Sequence, residues 1–98
     1  MTTPAKTKNL IRVRDAILNA LSAQQRKRQQ YDGCDWIDAE RKVMLDETNE
    51  WRALFGKPSI DLQAIVRVEQ LAYGHSDYSS KFALYCAELV LECGPGEP

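Results

Sequence analysis

Ninety-eight residues with 13 Lys/Arg, 14 Asp/Glu and a formal net charge of −1 suit one domain, and an ordinary apolar content excludes global disorder. No apolar run approaches the roughly 20 residues that span a bilayer, and Met1-Thr2-Thr3-Pro4-Ala5-Lys6 leads into a charged segment and not into the apolar core of a secretory leader. Three cysteines, Cys34, Cys86 and Cys93, form a poor disulfide framework. Cys86 and Cys93 sit about 10 Å apart along one predicted helix, too far for a bridge. Reduced thiols in the cytoplasm are expected.

The near-neutral total hides an asymmetry. Residues 1–30 hold seven cations (Lys6, Lys8, Arg12, Arg14, Arg26, Lys27, Arg28) against Asp15 alone, whereas residues 31–98 hold six cations against thirteen carboxylates. Either the basic segment neutralises the acidic body across a helix–helix interface, or it meets an acidic partner, protein or nucleic acid.

Breakers divide the chain into four helical segments, with 1–93 expected as one helical domain and 94–98, rich in Gly and Pro, as a frayed tail. The first segment starts at Thr3-Pro4 or a turn later. Leu10, Val13, Ile17 and Leu21 make its apolar stripe, with Ile11, Leu18 and Ala20 beside it. Past Leu21 the residues favour a helix but offer nothing to bury, so this end is expected to project until Tyr31-Asp32-Gly33 stops it.

The second segment starts at Asp35, with Asp38 in its first turn, where acid is favoured. Ile37, Met44 and Trp51 recur every seven residues, flanked by Trp36, Val43, Leu54 and Phe55, and Gly56 before Lys57-Pro58 ends it. The third is short, from Ser59 or Asp61 to Gly74, and buries Leu62, Ile65, Val66 and Ala72. The fourth runs from Ser76 or Asp77 to about Cys93. Tyr78, Phe82, Tyr85, Cys86 and Leu89 fill one face, and Leu84, Val90 and Leu91 cover much of the rest. A helix so apolar is either central to the bundle or shared with a partner, a second copy of the chain included. The expected fold is an all-α bundle of three longer helices and one short one.

No constellation in the chain carries obvious chemistry. His75, the only histidine, sits between helices and fits a corner residue bonding to backbone at the Gly74 turn; a catalytic role would need a partner such as Cys34. There is no CxxC, HExxH, phosphate loop or nucleophile elbow, so neither metal nor cofactor is expected. Glu88 and Glu92 lie one turn apart on the fourth helix. Glu40, Glu47 and Glu50 lie on the second, where Glu47 and Glu50 interleave with Arg41, Lys42 and Arg52, as on solvated ion-pairing faces. Trp51 and Phe55 suit the core, while Trp36 and Tyr31, beside the Gly33-Cys34 loop, suit an exposed contact surface.

The stretch Gly74-His75, Asp77-Tyr78 and Lys81-Phe82-Ala83-Leu84-Tyr85-Cys86-Ala87-Glu88-Leu89 resembles the C-terminal half of small bacteriophage- and prophage-encoded proteins with no assigned activity. The resemblance covers about a quarter of the chain. It implies an origin, residence in a host cytoplasm, and accessory roles such as binding a host factor, regulating a transcript or assisting assembly. These readings converge on a non-enzymatic protein–protein interaction module of host or phage context, with Arg26, Lys27, Arg28, Tyr31 and Trp36 as the contact residues. The alternative is a small nucleic-acid-binding regulator using Lys6, Lys8, Arg12 and Arg14, with Asn19 and the glutamines adding hydrogen bonds.

Overall fold

A computed structural model describes residues 4–31, 33 and 35–91, with side chains from Lys8 onward. It contains α1 (Pro4–Gln25), a single 3-10 turn (Arg28–Gln30), α2 (Asp35–Leu54), α3 (Leu62–Ala72) and α4 (Tyr78–Leu91), and no strand among the described residues. Three longer helices of 22, 20 and 14 residues and one of 11 make the all-α bundle expected. The expected 94–98 tail, Glu92, Cys34 and Cys93 lie outside the described residues.

Local chemistry sets the helix ends. Asp61, in extended backbone, caps α3 by accepting from Ala64 N at 3.2 Å. Gly56 closes α2 at φ +73°, where a side chain would be strained. The last carbonyls of α4 are capped by cations from elsewhere: Arg52 donates to Leu89 O and Lys57 to Val90 O, each at 2.6 Å. Positive charge also suits this negative end of the helix dipole.

Interactions between helix ends give the topology. Gln25 at the end of α1 donates to Ser79 at the start of α4, at 2.9 Å. Arg41 near the start of α2 pairs with Glu69 near the end of α3, at 2.7 Å. Arg52, late in α2, reaches the last turn of α4. The helices therefore alternate up, down, up, down. α1 and α3 occupy opposite corners, and each packs against both α2 and α4.

The core is the shared interior of all four helices: Val13, Ile17 and Leu21 from α1, Met44 from α2, Ile65, Val68 and Ala72 from α3, and Phe82, Ala83, Cys86, Ala87 and Val90 from α4. α2 and α4 each contact the other three helices, and α4, with five apolar residues fully buried, is the central one. Of the α1 stripe, Val13, Ile17 and Leu21 are buried as their spacing predicts, and Leu10 is half-buried against them.

On α2 the expectation needs correction. The buried line is Glu40, Met44, Thr48 and Arg52, at intervals of four, while Ile37 and Trp51 lie on its half-buried flank. Phe55, expected in the core, is 42% exposed, and Leu54 is 76% exposed. Leu54 is the last residue of α2 and Phe55 lies in the turn that follows it. Leu62, the first residue of α3, is likewise exposed.

Phe82 is fully buried, so Phe82→Ala should cost about 3–5 kcal/mol in urea denaturation. A loss below about 1 kcal/mol, as at a surface site, would contradict this placement of α4. Thr48 Oγ1 is buried without a hydrogen-bond partner. The near-isosteric Thr48→Val should leave stability unchanged or raise it by about 1 kcal/mol.

Candidate functional site

The contact residues expected at the α1–α2 turn gather at one end of the bundle, where α1 ends, α2 and α4 begin and α3 finishes. The basic segment after Leu21 does not project as expected. Gln24 is buried and its amide donates to Tyr31 Oη at 3.2 Å. The chain then tightens, with Arg26 N bonding to Ser22 O, Lys27 N to Gln24 O and Gln30 N to Lys27 O. The 3-10 turn that results folds the segment back over the start of α2.

Arg28 holds this turn in place. Its guanidinium makes a two-pronged ion pair with Glu40, Nε to Oε2 at 2.7 Å and Nη2 to Oε1 at 3.1 Å. It also lies over the Trp36 ring, 4.1 Å from the centroid. One expectation changes accordingly: Trp36 is half-buried beneath Arg28 and not an open anchor. Glu40 is only 3% exposed. A carboxylate buried to this degree requires a cation, which the α1–α2 turn supplies.

A second pair continues across the same end. Arg41 grips Glu69, itself 2% exposed, through Nε at 2.9 Å and Nη2 at 2.7 Å. The hydrogen bond to the carboxylate, more than any other influence, raises the pKa of each arginine further. Tyr78, at the start of α4, feels both carboxylates. Burial and then Glu69 push its phenol far above the usual range, so it stays protonated. Tyr73 stacks on Tyr78 with ring centroids 5.2 Å apart. One polar-aromatic network thus ties the α1–α2 turn to α2, α3 and α4.

His75 is exposed at the α3–α4 corner. Its backbone N donates to Ala72 O at 3.1 Å, while Nε2 lies 3.4 Å from Tyr85 Oη. The bond at the corner is made by the main-chain amide, while the ring faces Tyr85. Among the described residues no three His, Cys, Asp or Glu side chains gather as a metal site. Cys86 is buried, and burial pushes its thiol up to about 12, with the Thr48 hydroxyl easing the rise. Glu47 and Glu88 are raised above the ordinary carboxylate range, mainly by burial. Glu50 and Asp46 add to the rise at Glu47, and Lys81 tempers that at Glu88.

The remaining predicted cations are distributed along α1. Lys8 and Arg12 are exposed, Arg14 turns onto its neighbour Asp15 at 2.7 Å, and Arg26 and Lys27 are exposed at the turn. The side chain of Lys6 lies outside those described. Arg28 is the only cation among residues 8–30 that reaches a carboxylate of the acidic body, among the described residues. The sequence reading missed Glu40 and Glu69, whose carboxylates sit at positions the apolar pattern does not mark.

Together these features define a helical-bundle protein with an ordered basic turn. No family model matches the chain, and neither a curated protein nor a solved structure is detectably similar to it. No helix among the described residues is long and apolar enough to cross a membrane.

Arg28→Met should destabilise the fold by about 1–3 kcal/mol, because Glu40 is left buried without its partner. Arg28→Met with Glu40→Met should recover most of that loss, as buried ion pairs often exchange for apolar pairs at little cost. Denaturation of the two single variants and the double variant tests this, and additive losses would refute the clasp.

Proposed function

We propose that the protein is a non-enzymatic interaction module whose ordered basic turn binds another protein. The observation that supports it most is charge left unspent. Lys8, Arg12, Arg26 and Lys27 are exposed and hold no carboxylate among the described residues, so self-neutralisation across the bundle uses Arg28 alone. Arg28, anchored on Glu40 and Trp36, fixes the turn that presents Arg26 and Lys27, with Tyr31 tied to Gln24 alongside. A surface ordered before contact loses less entropy on binding. The resemblance of residues 74–89 to phage-encoded proteins suggests a host or phage protein as the partner, met in the cytoplasm.

Nucleic-acid binding through Lys6, Lys8, Arg12 and Arg14 is the weaker reading. Arg14, one of its four cations, is already occupied by Asp15. Affinity capture from lysate of the cells that make the protein discriminates the two. A defined protein partner should be retained by the native chain and by Arg67→Glu, which alters an exposed cation on α3, and lost on Arg26→Glu with Lys27→Glu. Capture of the same partner by the basic-turn variant would overturn the reading. Binding to duplex DNA that weakens steeply with salt would establish the alternative.

A further inference from the structure

The basic turn is one end of a longer feature. In α-helical geometry Lys8, Arg12, Asn19 and Arg26 fall within about 40° of one another around α1, with Ile11 beside them. Arg26 keeps the register because its N still bonds to Ser22 O. The stripe runs about 27 Å at 1.5 Å per residue. All five of these residues are exposed, including Ile11, an apolar side chain 46% exposed between Lys8 and Arg12. Asp15, the carboxylate close to the line, is neutralised by Arg14.

We infer that this outer face of α1 is the docking track for an acidic amphipathic helix of the partner protein, an inference that rests on the interaction module proposed above. Charge complementarity gives the sign: cations stand at both ends of the track with none of their charge answered by the body. Ile11 gives the second requirement, an apolar residue on the partner to cover it. Ile11 also favours a protein helix over a nucleic-acid duplex, whose phosphate backbone offers nothing apolar to cover it. A helix is about 10 Å across and fits on α1 alone.

The test titrates the isotope-labelled full chain with an amphipathic helical peptide of about 18 residues, matched to the track, with glutamates at i,i+4 spacing and one leucine. A duplex of similar length is titrated in parallel. Amide shifts should be confined to the outer face of residues 8–27. Arg12→Glu with Arg26→Glu should weaken the peptide about tenfold or more, and Ile11→Ala roughly threefold. Tighter binding of the duplex, shifts spread equally over Lys42, Lys57 and Arg67, or affinity unmoved by the charge reversal would each overturn the inference. Failure of both probes would overturn it too. A partner captured through Arg26 and Lys27 would then leave the interaction module standing without this track.

Discussion

The bundle depends on the need to cover α4. Of its 14 residues only Lys81 and Glu88 carry charge, and five are buried completely. A helix with so little polar surface must be enclosed, since each exposed apolar side chain forgoes about 1.5–3 kcal/mol of burial. Enclosing it takes three helices, and the up-down-up-down order lets short connections deliver them. Phe82 and Cys86 therefore determine the placement of α1, α2 and α3 as much as the apolar stripes of those helices do.

That arrangement creates an electrostatic problem at one end and resolves it there. Bringing α2 and α3 against α4 buries Glu40 and Glu69, and each is met by an arginine in two-pronged contact. Pairs of this kind add little net stability over apolar substitutes, but they specify one arrangement well, because any slip of register strands a carboxylate. The same arginine that settles Glu40 also holds the basic turn in shape. The scaffold and the proposed contact surface thus share a residue, Arg28.

How much of this was legible in the sequence differs from helix to helix. Helix number, lengths and the α1 stripe follow from periodicity and breakers, because Val13, Ile17 and Leu21 bury no polar group that needs an outside partner. α2 misleads. Its inward line is Glu40, Met44, Thr48 and Arg52, and three of those four look like surface residues. What admits the two charged ones are groups outside α2: Arg28 for Glu40, and carbonyls of Pro58 and Leu89 for Arg52. Local pattern contains no record of such partners. The basic turn was legible as composition, but its folding back was not, since the polar run from Ser22 to Gln30 gives no sign that Gln24 and Arg28 find acceptors.

The cationic caps on α4 also bear on the order in which the chain can fold. Arg52 and Lys57 belong to the end of α2 and the loop after it, yet their acceptors lie 37 and 33 residues later. The loop leading into α3 is held to α2 by Asn49 and Arg52, its bonds to α4 wait for that helix's last turn, and α1 is closed over by contacts as distant as Gln25 with Ser79. Local helix formation is fast, whereas closing long loops carries an entropic cost before their contacts form. On a ribosome the first three helices would emerge as an amphipathic layer with an open apolar side. Closure waits for the last turn of α4, which makes the bundle a late, nearly all-at-once event and not an assembly that grows helix by helix.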